Sequence, residues 1–120
     1  MKMQRVLIVD DEPKITNLLR IKLKLIGYHV TATTSGTEAV EIIRTRQPDI
    51  VLLDILMPDI TGLEVLRQVR AFSQLPIIAF TAKPDMIPLA LKQGANAGFP
   101  KPFDPDQVVS LIETVLNSCT

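Results

Sequence analysis

Ile50-Val51-Leu52-Leu53-Asp54-Ile55-Leu56-Met57-Pro58 is the stretch that decides the fold. A run so apolar and so rich in branched side chains reads as a strand buried on both faces, the kind found in parallel sheets. Such a strand has no use for a carboxylate, yet Asp54 stands where the run should leave the sheet, and Pro58 and Gly62 follow to turn the chain before the next helical pattern. An acid at the carboxyl end of a central strand lies at the rim of an open α/β sheet, where such folds bind ligands.

Outward from this strand, the chain alternates between strands and helices. Arg5-Val6-Leu7-Ile8-Val9 is short and apolar and breaks off into Asp10-Asp11-Glu12-Pro13. Pro13 suits a first helical position, and Ile15, Leu18, Leu19, Leu23 and Ile26 recur at helical spacing up to Gly27. Lys22 falls within this stripe, with its stem expected on the core and its ammonium in water. Tyr28 to Thr33 alternates as an edge strand does, with Tyr28, Val30 and Ala32 on one face and His29 exposed on the other. Ser35-Gly36-Thr37-Glu38 has the spacing of a capping box and opens a helix that Pro48 forbids to continue. After the central strand, 49 to 54, Thr61-Gly62-Leu63-Glu64 repeats that box before Val65, Leu66 and Val69.

Pro76 to Phe80 reads as a fourth buried strand ending at Thr81. Asp85 is expected to cap a short helix that tolerates Pro88 in its first turn and closes at Gly94. Residues 96–99 form a weak fifth strand, and Asp104-Pro105-Asp106-Gln107 starts a last helix with Val108, Leu111, Ile112, Val115 and Leu116 on its apolar side.

Five strands alternating with five helices demand an α/β fold: one doubly wound, five-stranded parallel sheet with right-handed crossovers and helices on both faces. A strand order of 2-1-3-4-5 places the reversal between strands one and three. Asp10 and Asp11 leave the first of these and Asp54 the second, so carboxylates from distant parts of the sequence meet at one switch point. The 120 residues suit a single domain spanning 1–120, and 47% hydrophobic against 22% charged composition supplies one core. Lys+Arg and Asp+Glu both number 13, so no bulk field draws the chain to nucleic acid or to an anionic membrane. The single cysteine, Cys119, the absence of a leader pattern and the absence of a bilayer-length apolar run lead us to expect a cytoplasmic location.

One aspartate after a strand is more often a cap or turn former than a site. Three together are different, since two like charges at ~4 Å repel by about 4 kcal/mol at an effective dielectric near 20, against ~1 kcal/mol from a cap. Either protons are taken up or a cation neutralises the cluster, and hard oxygen ligands with open water positions favour Mg²⁺. Lys101, after strand five, can bring a further positive charge, and Pro100 and Pro102 constrain its backbone, the latter admitting a cis Lys101-Pro102 peptide.

These residues resemble the receiver domain of two-component response regulators across essentially the whole chain. The resemblance rests on Asp10-Asp11 after strand one, Asp54 followed by Met57-Pro58 and Gly62, Thr81-Ala82 after strand four, and Lys101-Pro102-Phe103 after strand five. It implies that Asp54 accepts a phosphoryl group from a phosphohistidine on a histidine kinase or histidine phosphotransfer protein. It further implies that Asp11, Asp54 and the Leu56 carbonyl bind Mg²⁺ with help from Asp10 through water, and that Thr81, the Ala82 amide and Lys101 hold the phosphoryl oxygens. A monomer that meets its donor through the first helix and the last loop, at Lys14, Ile21 and Phe103, is the expected form. The position three before the lysine, aromatic in the resembled family, is Gly98 here, with Phe99 one place later. Leu56 and Lys83 occupy the two places that, in the resembled family, border the path by which water attacks the acyl phosphate.

Other classes compete for the same pattern. A flavodoxin-like binder of a phosphorylated cofactor would need backbone amides from small residues where this chain has Asp10-Asp11-Glu12. A phosphatase with an aspartyl nucleophile resembles its relatives in carrying a second acid where this chain has Leu56. A receiver-like interaction module that is never phosphorylated, or a receiver excised from a longer regulator or hybrid kinase, shares every feature named above.

Overall fold

The computed structural model describes residues 3–118, so Cys119 lies outside the described residues. Its strands β1 (Arg5–Val9), β2 (His29–Thr33), β3 (Ile50–Asp54), β4 (Ile77–Thr81) and β5 (Ala97–Pro100) alternate with helices α1 (Pro13–Ile26), α2 (Gly36–Arg46), α3 (Gly62–Arg70), α4 (Ile87–Lys92) and α5 (Pro105–Ser118). All four pairings are parallel and the sheet order is β2-β1-β3-β4-β5, as the alternation of the sequence predicts.

Side chains alternate across a strand, and the two cores follow that parity. Leu7, Val9, Val51, Leu53, Ile77 and Ala79 pack under α2, α3 and α4. Val6, Ile8, Ile50, Leu52, Ile78 and Phe80 pack under α1 and α5. Every residue of β3 and β4 is buried, which is why these strands carry no polar alternation. The rule continues to the rim: Asp10 and Asp54 share the parity of Ile8 and Leu52, and Lys101 shares that of Phe99. All three point to the α1/α5 side.

Both capping boxes form, with Ser35 Oγ accepting from Glu38 N at 3.1 Å and Thr61 Oγ1 from Glu64 N at 3.2 Å. A further cap comes from across the sheet. Asp59, in the loop after β3, accepts from Gly36 N and Thr37 N, each at 3.1 Å, and from Ser35 Oγ at 2.8 Å, tying the start of α2 to the rim. The bond from Thr37 N leads those that hold its carboxyl well below the usual carboxylate range. Arg70 makes a second clasp, donating to the Gly94 carbonyl at 2.9 and 3.0 Å, to Asn96 Oδ1 at 3.1 Å and to the Ser73 carbonyl at 3.1 Å.

Three local expectations change. On α1 the buried residues are Thr16, Leu19 and Leu23, while Leu18 and Ile26 are 54% and 49% exposed. Leu18 lies about 100° around the helix from Leu19, which puts it off the sheet-facing line, and Ile26 stands on the last helical residue. Lys22 does not end in water alone, because its ammonium pairs with Asp106 of α5. Asp85 caps nothing: it sits in a 3-10 turn, Pro84–Met86, and α4 starts after Met86 without a side-chain cap. Pro88 does fall in the first turn of α4, and the Lys101-Pro102 peptide is cis. Gly98 faces α4, where a Cβ would meet Ile87 Cγ2 at 2.8 Å. Ile87 fills the space above it.

Candidate functional site

The parallel ladder carries the candidate residues to the rim by continuing one bond past the strands. Asp10 N donates to the Thr33 carbonyl at 3.1 Å, Ile55 N to the Phe80 carbonyl at 3.0 Å and Lys101 N to the Thr81 carbonyl at 2.8 Å. With backbone and parity both set, the side chains converge. Lys101 Nζ lies 3.0 Å from Asp10 Oδ2, 3.1 Å from Asp54 Oδ2 and 3.2 Å from Glu12 Oε1. The ammonium also lies over an aromatic face, with Nζ 5.5 Å from the Phe80 ring centre, and Phe80, Phe99 and Phe103 pack together at 5.4 to 5.6 Å.

Asp10 is fully buried and Asp54 is 2% exposed. Burial pushes the Asp54 carboxyl up to about 6, opposed by Lys101 and reinforced by the charge of Asp10. Burial raises Asp10 as well, against the hydrogen bond from Glu12 N and the adjacent Lys101 ammonium. For Lys101, burial works against the charge, but the adjacent Asp10 carboxylate and then that of Asp54 outweigh it and raise its pKa. The ammonium is thus locked on, and the carboxylates are poised to take up positive charge.

Two further bonds orient the aspartates, from Glu12 N to Asp10 Oδ1 at 2.9 Å and from Leu56 N to Asp54 Oδ1 at 3.2 Å. The second points the Leu56 peptide at the site. Asp10, Asp11 and Asp54 each offer a carboxylate oxygen within 4.8 Å of the others, with Asp11 exposed beside its two buried neighbours. Asp10 Oδ2 is buried and meets Lys101 only as an ion pair, without hydrogen-bond geometry. A buried, under-coordinated oxygen in an all-carboxylate set fits a hard divalent cation that keeps several waters.

Thr81 is fully buried at the end of β4, on the opposite parity, and its Oγ1 accepts from Lys83 N at 3.0 Å. Ala82 is exposed beside it. The structure brings Asp10, Asp11, Asp54 and Lys101 into one cluster and leaves Thr81 and Ala82 on the neighbouring strand end, where Thr81 meets the cluster through its backbone carbonyl and, among the described residues, its side chain makes no bond to it. Glu12 is the member that sequence reasoning passed over. Its signal was the third acid of Asp10-Asp11-Glu12, taken as part of the acidic run and not as a partner for Lys101.

A buried lysine shared by acids at the carboxyl ends of β1 and β3, on a 2-1-3-4-5 sheet, defines a doubly wound domain with its site at the switch point. The chain matches the model of the response regulator receiver domain over residues 6–113 and belongs to that family. It is 38% identical over 117 residues to the transcriptional regulatory protein BaeR of Escherichia coli, an alignment covering 96% of this chain and 49% of that protein. It is 37% identical over 115 residues to the DNA-binding response regulator MtrA of Mycolicibacterium smegmatis, covering 94% and 50%. The chain therefore spans about half the length of these relatives. Among solved structures it resembles a CheY-like receiver domain protein of Methanospirillum hungatei, with a TM-score of 0.91 at 27% identity over 98% of this chain and 96% of that one. It also resembles the response regulator TrrA of Thermotoga maritima, described as a complex with Mg(2+)-BeF, with a TM-score of 0.85 at 34% identity over 94% and 99%.

Proposed function

We propose that this receiver domain is a Mg²⁺-dependent phosphoacceptor in a phosphorelay, with Asp54 as the acceptor. The observation that carries this is Lys101 held between Asp54 and Asp10 with Asp11 in reach. An Asp54 carboxylate oxygen attacks the phosphorus of a phosphohistidine, the P–N bond breaks, and the imidazole leaves with the electron pair. Asp54 becomes an acyl phosphate. Such transfer asks for positioning and charge neutralisation and not for a general base. Lys101 supplies one fixed positive charge to the incoming oxygens, while Thr81 and the Ala82 amide stand at the next strand end to receive them. Asp11, Asp54 and the Leu56 carbonyl would hold Mg²⁺, with Asp10 acting through water. That ion supplies charge neutralisation at the oxygens being transferred. Incubation with acetyl phosphate and Mg²⁺ should add one phosphoryl group, read by intact mass and released by hydroxylamine. A protein that stays unmodified would refute the assignment.

Replacing Asp11 by Ala should remove most Mg²⁺ binding and leave the fold intact, because an exposed rim acid contributes charge and not core. The check is a metal titration alongside a thermal melt, and unchanged Mg²⁺ affinity would strike Asp11 from the ligand set.

The donor is a histidine kinase or histidine phosphotransfer protein, met in the cytoplasm by a monomeric domain. Leu18, Ile21 and Leu25, at 54%, 60% and 83% exposure, form an apolar strip along α1, which starts directly after the acidic cluster. A helical donor laid on this strip would bring its phosphohistidine to the pocket. Ile21→Glu should therefore slow transfer from the histidine protein about tenfold or more, a typical cost for a buried interface anchor, while acetyl phosphate labels the variant normally. Equal slowing with both donors would move the contact elsewhere.

A further inference from the structure

Lys101 Nζ has three acid partners at 3.0 to 3.2 Å, of which Asp54 and Glu12 accept hydrogen bonds from it, and a phosphoryl oxygen approaching the ammonium competes with them. The three partners differ in what release costs. Asp10 is fully buried and Asp54 is 2% exposed, whereas the Glu12 side chain is 58% exposed and can pass to water. Releasing a buried carboxylate leaves a charge without solvent, and releasing an exposed one does not. Glu12 also has a backbone that cannot wander: its amide donates to Asp10 Oδ1 at 2.9 Å and its carbonyl accepts from Thr16 N and Thr16 Oγ1, both at 3.1 Å. Its carboxylate is tethered at the outer side of the lysine, where an incoming donor arrives.

We propose that Glu12 is an electrostatic gate on the acceptor pocket, a positioning residue that occupies the outer face of Lys101 and repels donors according to their negative charge. The inference rests on the assignment of Asp54 as phosphoacceptor. Lys101 swings from Glu12 to the phosphoryl group as transfer proceeds, and Glu12 turns to solvent. A donor bound on the protein surface carries its own complementary charges past the gate, whereas a small free anion does not. Glu12 therefore favours protein donors over metabolic acyl phosphates.

The test uses the whole chain at neutral pH with saturating Mg²⁺ and two small donors. Acetyl phosphate is a dianion, and its transfer breaks the P–O bond with acetate leaving as the anion. Phosphoramidate carries one net negative charge, and its transfer breaks the P–N bond with ammonia leaving. Removing one unit charge at the pocket mouth should speed labelling of Glu12→Gln by acetyl phosphate about fivefold and by phosphoramidate only about twofold, since the repulsion scales with donor charge. Glu12→Asp keeps the charge and should label at the wild-type rate with both. Equal acceleration with both donors, or a Glu12→Gln variant no faster than wild type, would overturn the gate. Asp54→Asn run in parallel separates the two levels: if that variant is labelled as well as wild type, the acceptor assignment fails first and the gate falls with it.

Discussion

Asp54→Asn should end phosphoryl acceptance altogether and, in Mg²⁺-free buffer at neutral pH, make the protein more stable than the wild type. The first half follows from losing the oxygen nucleophile. The second follows from burial. The Asp54 carboxyl is pushed from an ordinary value of 3.8 up to about 6, so between those values the folded state holds a proton that the unfolded chain has released. Stability therefore falls as pH rises through that window and stays lower above it, by on the order of 1–3 kcal/mol. Asparagine carries no such charge, and Lys101 keeps Asp10 and Glu12 as partners. Thermal melts of both proteins from acid to neutral pH should converge below 3.8 and separate as pH rises from there to about 6, with the gap constant above. A wild type that is the more stable of the two at neutral pH would show that the Lys101 pair outweighs desolvation.

Gly62→Ala should be the most damaging single methyl in the chain. A Cβ there would lie 2.6 Å from the Asp54 carbonyl oxygen and 2.6 Å from Ile55 Cα, both backbone atoms that cannot rotate aside. Gly62 N also donates to the Ile55 carbonyl at 2.7 Å, so the start of α3 is pressed against the end of β3. We expect a loss of about 2–4 kcal/mol, or roughly 10 °C in the melting midpoint. Labelling by acetyl phosphate should slow as well, because relief of the clash displaces the peptide that carries Asp54. A midpoint within about 2 °C of wild type would mean that the two backbones part easily.

The sheet order and most element ends were legible because each strand is a continuous apolar run and most of its boundaries carry local chemistry, such as Ser35 with Glu38, Thr61 with Glu64, and Pro13 with Gly27. The convergence of Asp10, Asp54 and Lys101 was legible for the same reason, as each follows a strand on one parity. What escaped sequence reasoning acts through space. Asp59 caps a helix 22 or more residues earlier, Arg70 clasps Gly94 and Asn96, and Glu12 reaches Lys101. None of these pairs has a spacing to read. The orientation of Leu18 was lost because α1 is apolar on more than one face, so periodicity alone admits several rotations about its axis.

Ile87 resting on Gly98 leaves this domain with a place to write and little room to copy. An aromatic ring at that position, as in the receivers this chain resembles, could turn in or out and so carry to the far edge of the sheet a sign of what happened at Asp54. The half-buried Ile87 methyl over bare backbone offers no ring to turn. If Asp54 accepts phosphate as proposed, and neither Phe80 nor Phe99 takes the ring's place, the record of the phosphoryl group would stay at the rim, beside the pocket and the first helix. A writer and a reader would then compete for one surface, and traffic through the domain would be sequential: one partner would have to leave before the next could learn what it left behind.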